Sequence, residues 1–203
     1  MAKISKSLEK EITVAEVSDF HQPMVFVVDM INGFIKDGAL SDSSIMKIVP
    51  PIKKLLKQTS NHIFVCDAHN LNAREFQTYP IHCIENTEES QVIDELKEYV
   101  EDTIYKNSTN TFVSNAFQDL LEELLLSYDD YIIVGCCSDI CILQFALSFQ
   151  TFLNEFNLDK KRIIVPVNMI ETFHVDNVHE QLEMNDIACR LMISNGINVV
   201  NVR

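Results

Sequence analysis

The chain has 203 residues, of which 47% are hydrophobic, so it can bury one sizeable core, and its composition requires no second domain. We therefore predict a single domain over residues 1–203. The formal net charge of −14 disfavours a phosphate-binding surface, because nucleic acids and anionic membranes are bound mainly through Lys and Arg. We expect neither nucleic acid nor a membrane as a partner.

The location of the protein is predicted from what its segments lack. Residues 1–20 alternate charged and apolar positions and contain no apolar core of a secretory signal. No window approaches the roughly 18 consecutive apolar residues of a membrane helix. The cysteines need no disulfides, because several lie in or just after apolar runs where strand burial in a reducing compartment explains them. We predict a soluble, cytoplasmic protein.

Apolar runs of strand length alternate with segments of helical periodicity along the chain. The predicted strands cover 24–30, 62–68, 103–106, 131–137, 162–168 and 197–202. The predicted helices cover 43–58, 88–100, 115–126, 139–156 and 178–196. The strand runs are nearly continuous, as in parallel strands covered on both faces. This order predicts an α/β fold, a three-layer α/β/α sandwich with a mostly parallel sheet of about six strands.

Chemically active side chains follow several of the predicted strands. Asp29, Asp67 and Lys106 each close a strand, and the segment GCCSDIC at 135–141 follows another. Sites of open parallel sheets lie beyond the carboxyl ends of the strands, so we expect these groups at one edge. The longest irregular stretch, 70–87, is of a length that is usually functional in a compact domain.

Cys141 is the candidate nucleophile of that segment. It is predicted in the first turn of a helix capped by Ser138 or Asp139, where backbone N–H groups and the helix dipole lower the pKa of a thiol. The alternative is a small buried residue at a helix start. Cys136 and Cys137 are interpreted as packing or backbone-geometry residues.

A second cluster has the composition of a metal site. Asp67 and His69 point the same way at a strand end, and the following loop can return Glu75 and His82 to meet them. Two imidazoles and two carboxylates suit one divalent ion such as Zn²⁺, Mn²⁺ or Fe²⁺. The alternatives are a hydrogen-bonded loop histidine for His82 and a solvent-exposed Glu75.

Asp29 ends a strongly apolar strand, so burial should raise its pKa and a nearby Lys106 should lower it again. A carboxylate in this position can take a proton from a thiol and return it to a leaving amine. The alternatives are an Asp29 that caps the following turn and a solvated Lys106.

Taken together, these motifs resemble the isochorismatase-like cysteine hydrolases over about residues 22–203. The resemblance rests on VVDMINGF, CDAH, YPIHC, the lysine of YKNSTNTF, and GCCSDIC followed by ILQFAL. Within that family the chain is most similar to the nicotinamidases. The resemblance implies an isochorismatase-like, Rossmann-like fold and, as in many members, a homo-oligomer. Residues 1–20 would be an N-terminal extension, for which packing against a neighbouring subunit and mobility both remain open.

The resemblance also implies roles for individual residues. It implies a catalytic triad of Asp29, Lys106 and Cys141. It implies an oxyanion hole of the Cys137 and Cys141 backbone N–H groups, with a cis peptide bond just before Cys137. The implied ligands of the divalent metal are Asp67, His69, Glu75 and His82. The residues implied to stack on or wall the substrate ring are Phe34 and Tyr79.

The implied activity is hydrolysis of nicotinamide to nicotinate and ammonia through a cysteine thioester, with the metal positioning the pyridine ring and a water molecule. One alternative is another hydrolase of the superfamily, acting on a different small amide, a carbamoyl compound or a vinyl ether. A second is an idle or redox-sensing protein that uses Cys141 with Cys137 as resolving partner. Cys141 and the metal ligands together favour the amidase.

Overall fold

A computed structural model describes residues 4–203 as a parallel sheet with helices on both faces. Within the described residues the strands are β1 Thr13–Ala15, β2 Pro23–Val28, β3 His62–Asp67, β4 Asp102–Lys106, β5 Asp130–Cys136, β6 Arg162–Pro166, β7 Ile170–Glu171 and β8 Asn198–Val202. The α-helices are α1 Lys6–Glu9, α2 Asn32–Ile35, α3 Val49–Leu56, α4 Asn115–Ser127, α5 Leu143–Glu155 and α6 Gln181–Ser194. None of these helices is long and apolar enough to cross a membrane.

The sheet confirms the predicted fold class. Its strand order is β1-β8-β6-β5-β2-β3-β4, with β7 paired to β5, and every pairing is parallel. The six predicted strands are present, and β1 and β7 bring the number among the described residues to eight. The two additions have only three and two residues, too short for a recognisable apolar run.

Alternate side chains of β2 enter two separate cores. Phe26 packs with α4, α5 and α6 on one face of the sheet, whereas Val25 and Val27 pack with α2 and α3 on the other. All three side chains are fully buried. Each such burial stabilises the fold by about 1.5–3 kcal/mol, which explains why the strands are apolar on both faces.

Most predicted helices form, with shifted ends, but the helix predicted over 88–100 is wrong. That segment consists of turns and a 3-10 helix at Lys97–Tyr99. Its backbone pairs instead with the chain after β2, where the Asn32 N–H donates to the Gln91 carbonyl and the Ile93 N–H donates to the Met30 carbonyl. Because these groups are engaged outside the segment, the helical ladder does not form. The predicted helix over 43–58 begins as a 3-10 helix at Ser43–Ile48 and continues as α3.

The N-terminal segment, from residue 4 onward, packs on its own chain. Leu8 of α1 is fully buried in the core that also contains side chains of α6. The Ser5 N–H donates to the Asp186 carboxylate over 2.8 Å, and β1 forms an edge of the sheet beside β8. Residues 1–3 of the predicted extension lie outside the described residues.

Candidate active site

The fold brings four strand ends together at one edge of the sheet, as the sequence predicts. β2 lies between β5 and β3, and β3 pairs with β4 so that Asp67 is opposite Lys106. Gly135 near the end of β5 has φ +117°, and a Cβ atom there would lie 2.0 Å from the Val28 carbonyl oxygen. Only glycine therefore lets β5 approach β2 this closely just before Cys136 and Cys137.

Lys106 lies close to the two other members of the predicted triad, Asp29 and Cys141. Its Nζ lies 2.9 Å from Asp29 Oδ2 and 3.8 Å from Cys141 Sγ, and it also donates to Asp67 Oδ1. The Lys106 side chain is fully buried, so the alternative of a solvated lysine is wrong. Asp29 does not serve as a simple turn cap either, because its Oδ1 accepts from the Asp67 N–H over 2.9 Å.

Burial and neighbouring charges set the protonation of this cluster. Burial and the nearby Asp67 raise the pKa of Asp29 to about 6, although Lys106 acts in the opposite direction. Burial alone would lower the pKa of Lys106, but Asp29 and Asp67 hold it well above its ordinary value. Lys106 is therefore charged, and Asp29 has the pKa of a group that exchanges protons near neutrality.

The predicted lowering of the Cys141 pKa is wrong. Burial raises the pKa of this thiol well above its ordinary value; Lys106 opposes the rise, and the Asp29 and Asp67 carboxylates add to it. The predicted caps are also wrong, because Ser138–Ile142 is a π-helical turn whose N-cap is Cys137, and no side chain caps it. The helix α5 starts only after this turn. The thiol is thus neutral at rest and needs a base to become a nucleophile.

The backbone before the π-helical turn has the predicted geometry. The peptide bond between Cys136 and Cys137 is cis. Cys136 is fully buried and its thiol donates to the Asp29 carbonyl oxygen over 3.1 Å, which agrees with a packing role. Among the described residues no cysteine forms a disulfide.

Three of the four predicted metal ligands converge. One ligand atom from each of Asp67, His69 and His82 lies within 4.8 Å of the other two, and all three residues are buried. His69 Nε2 is 3.5 Å and His82 Nε2 is 4.0 Å from Asp67 Oδ2. Ligands of one tetrahedral Zn²⁺ ion, each about 2.1 Å from it, lie roughly 3.4 Å apart, so these spacings suit a shared ion.

The hydrogen bonds of the two histidines leave the converging nitrogens available. His82 Nδ1 bonds the Pro80 carbonyl oxygen over 2.8 Å, which turns Nε2 toward Asp67. His69 Nε2 is buried without a hydrogen-bond partner among the described residues. A buried imidazole nitrogen left unpartnered beside a carboxylate fits a divalent ion.

The loop that follows β3 returns to it through backbone pairing. The His69 N–H donates to the Cys83 carbonyl and the Glu85 N–H donates to the His69 carbonyl, both over 2.9 Å. This pairing places His82 beside His69, with ring centroids 4.6 Å apart. It confirms the prediction that the loop brings the two histidines together.

Glu75 takes a different place from the other predicted ligands. Its Oε2 lies 3.9 Å from His69 Nδ1, the nitrogen that faces away from the three-residue group. This oxygen is buried without a hydrogen-bond partner among the described residues, so Glu75 is not a solvent-exposed loop residue. Burial and the neighbouring Asp67 raise the pKa of its carboxyl.

A cavity of about 870 Å³ opens over these groups. Cys141, Asp67 and His82 line it, together with the two predicted ring-contacting residues, Phe34 and Tyr79. The Phe34 and Tyr79 rings lie 5.6 Å and 6.2 Å from the His82 ring. The candidate nucleophile therefore faces the same space as Asp67 and His82.

Two neighbours of the histidines were not predicted. Phe76 lies 5.3 Å from the His69 ring and 5.6 Å from the His82 ring. Asn107 Oδ1 lies 3.4 Å from His69 Nδ1. The position of Asn107 directly after Lys106 at a strand end is a signal that could have identified it.

Comparison with known proteins places the chain in a family. Residues 23–185 match the Isochorismatase domain. Nicotinamidase 1 of Arabidopsis thaliana is 25% identical over 239 aligned positions, which cover 98% of this chain and 95% of that protein.

Two solved structures share the fold. Pyrazinamidase of Pyrococcus horikoshii, in complex with zinc, has a TM-score of 0.70 at 20% identity, covering 89% of this chain and 99% of that chain. PnC1 from L. infantum, in complex with nicotinate, has a TM-score of 0.73 at 16% identity, covering 95% of this chain and 98% of that chain. Because the matched domain spans most of the sequence and its fold is the one observed, the chain belongs to the isochorismatase domain family, as the resemblance predicts, and it is a hydrolase.

Proposed function

We propose that this hydrolase converts nicotinamide to nicotinate and ammonia through a thioester on Cys141. The observation that carries the proposal is the shared cavity, which Cys141, Asp67 and His82 line. Asp29 and Lys106 lie behind Cys141, and His69 converges with Asp67 and His82. The similarity to Nicotinamidase 1 of Arabidopsis thaliana supports the choice of substrate.

The first chemical step needs Asp29 as a base. Asp29, Asp67 and Cys141 each place one atom within 4.8 Å of the others, so a proton can pass from the thiol to Asp29. The sulfur then bonds to the carboxamide carbon, and the carbonyl oxygen takes the negative charge. We assign the stabilisation of this oxyanion to the Cys137 and Cys141 backbone N–H groups. Losing one donor of an oxyanion hole typically lowers the rate by ~10²–10³-fold.

The second step releases ammonia. The C–N bond breaks as Asp29 returns its proton to the leaving nitrogen, leaving the acyl group on Cys141. Water then gives a proton to Asp29 and bonds to the thioester carbon; the C–S bond breaks, nicotinate leaves, and Asp29 returns the proton to the Cys141 sulfur. Lys106, held between Asp29 and Asp67, keeps Asp29 able to ionise and balances the negative charge of the site.

Asp67, His69 and His82 would hold one divalent ion, and Glu75 would complete the set by turning toward it or would orient His69 from its other nitrogen. When bound, such an ion is a Lewis acid that orients the ring nitrogen of the substrate and makes a water molecule more acidic. Phe34 and Tyr79 would pack on the pyridine ring from the cavity walls.

The proposal is tested by ammonia release from nicotinamide. Wild-type protein loaded with Zn²⁺, Mn²⁺ or Fe²⁺ should release ammonia, while Cys141→Ala and chelator-treated protein should not. A metal-loaded wild-type protein that leaves nicotinamide unchanged would contradict the choice of substrate. Activity that survives Cys141→Ala would contradict the mechanism.

A second candidate is a hydrolase of a larger amide or carbamoyl compound. The cavity of about 870 Å³ lies in the size range that holds drug-sized ligands, and a single-ring amide fills only part of it. Parallel assays with ring-substituted nicotinamides and N-carbamoyl amino acids separate the two candidates by kcat/KM.

The remaining predictions concern the domain organisation, the oligomeric state and the location of the protein. The single domain, the homo-oligomeric state and the cytoplasmic location stay predictions. Light scattering of the purified protein measures the oligomeric state directly.

A further inference from the structure

A buried carboxylate that the proposed reaction does not use lies beside the end of β5, the strand that leads to the nucleophile. Glu171 of β7 is opposite Cys136 of β5 in the sheet register and is fully buried. Its Oε2 pairs with Lys47, which comes from the 3-10 helix at Ser43–Ile48. Removing a carboxylate from water costs free energy that one ion pair rarely repays in full, so stability alone is a weak explanation for Glu171.

The hydrogen bonds of Glu171 lead to the π-helical turn. Its Oε1 accepts from Asn185 Nδ2 over 2.6 Å and from the Thr172 N–H over 3.1 Å. The Oδ1 of Asn185 in turn accepts from Ser138 Oγ over 2.6 Å. Ser138 and Asn185 are also fully buried, so these hydrogen bonds are shielded from water. A hydrogen bond is stronger in such a low-dielectric interior than in water.

Ser138 stands between the two backbone groups assigned to the oxyanion hole. It follows Cys137 directly and precedes Cys141 by three residues, within a turn that carries no side-chain cap of its own. The neighbouring Asp139 is also anchored to the 171–185 segment, because its Oδ2 bonds His179 Nε2 over 2.9 Å. Both side chains that follow Cys137 are thus tied to the same segment.

We infer that Glu171 and Asn185 are positioning residues, which fix the 137–141 turn and thereby aim the Cys137 and Cys141 N–H groups at the reacting carbonyl oxygen. This inference rests on the proposed function. A preorganised donor acts only where charge develops, so loosening the turn should lower kcat and leave KM nearly unchanged. A displacement of about 1 Å can cost about 10²-fold in rate.

Four variants test the inference. Asn185→Leu removes both bonds at similar size, and Glu171→Leu removes the acceptor. Glu171→Gln retains an oxygen for Asn185 and should rescue most of the activity. Asp130→Asn is the matched control, because Asp130 is a fully buried carboxylate at the opposite end of β5, bonded to Arg162 Nε and the His21 N–H, each over 2.7 Å.

The expected result is a separation of kcat from KM and from stability. With nicotinamide, Asn185→Leu and Glu171→Leu should lower kcat by ~10–100-fold with KM within about threefold, whereas Asp130→Asn should retain kcat. Amide hydrogen exchange should become faster in residues 137–142 of the two leucine variants, but not in the control. Unchanged kcat in Asn185→Leu, or an equal loss in Asp130→Asn, would overturn the inference.

Hydrogen exchange also separates this inference from the proposed function. If wild-type protein does not hydrolyse nicotinamide, the proposed substrate is wrong, and the exchange of residues 137–142 still decides the role of the network. Unchanged protection of that turn in Asn185→Leu would then refute the positioning role, while selective loss of protection would support it.

Discussion

Replacing Lys106 by Met should destabilise the folded protein strongly and in a pH-dependent way. The substitution keeps a long side chain but leaves Asp29 and Asp67 buried without their shared cation. At 2.9 Å and an effective dielectric constant of about 20, the attraction between Lys106 and Asp29 alone corresponds to about 6 kcal/mol. Protonation of one carboxyl recovers part of this energy. We therefore expect the free energy of unfolding to fall by about 3–5 kcal/mol, as when one partner of a buried ion pair is removed.

Urea unfolding followed by circular dichroism measures this loss at pH 8 and pH 5.5. Without Lys106 the pKa of Asp29 rises further above about 6, so the native state binds a proton that the unfolded chain lacks, and the loss should be smaller at pH 5.5. The double variant Lys106→Met/Asp29→Asn should be more stable than Lys106→Met at pH 8, because one unpaired charge is removed. A loss below about 1 kcal/mol, or a double variant no more stable than the single one, would refute the reasoning.

Three further predictions follow from the same structure. Burial and Asp67 raise the pKa of Asp29 from 3.8 to about 6, so the contribution of Asp29 to the free energy of unfolding should fall as the pH rises through that range. Asp29→Asn should therefore flatten the dependence of this free energy on pH, measured by urea titration. An unchanged pH dependence would contradict the shift. Gly135→Ala should destabilise by more than about 2 kcal/mol, since Cβ would meet the Val28 carbonyl at a positive φ; a normal melting temperature would argue against that approach. Leu8→Ala should cost about 2–5 kcal/mol, with exposed Leu126→Ala as control; equal stability of the two variants would contradict the packing of the N-terminal segment.

Much of the fold could be predicted because its strands are buried on both faces and read as continuous apolar runs. The same property located Asp29, Asp67 and Lys106, since a charged residue at the end of such a run marks the edge of a parallel sheet. Local motifs at the same edge located His69, His82 and Cys141, and the family resemblance added their roles.

What could not be predicted depends on contacts distant in sequence. The 88–100 segment has helical periodicity, but its N–H and C=O groups pair with the chain around Ile31. The pKa of Cys141 reflects burial beside two carboxylates rather than a position at a helix start. The hydrogen bonds that join Glu171 to Ser138 pass through Asn185 of α6. A polar residue on an amphipathic helix is ordinary, so nothing in the sequence around Asn185 indicates these bonds.

The most direct test of the central claim is mass spectrometry of acid-quenched protein during turnover of nicotinamide. We predict a nicotinoyl adduct on the peptide that contains Cys141, present in the metal-loaded wild-type protein and absent from Cys141→Ala. Ammonia release without any adduct on Cys141, when hydrolysis of the thioester is slowed enough for it to accumulate, would contradict the proposed covalent mechanism.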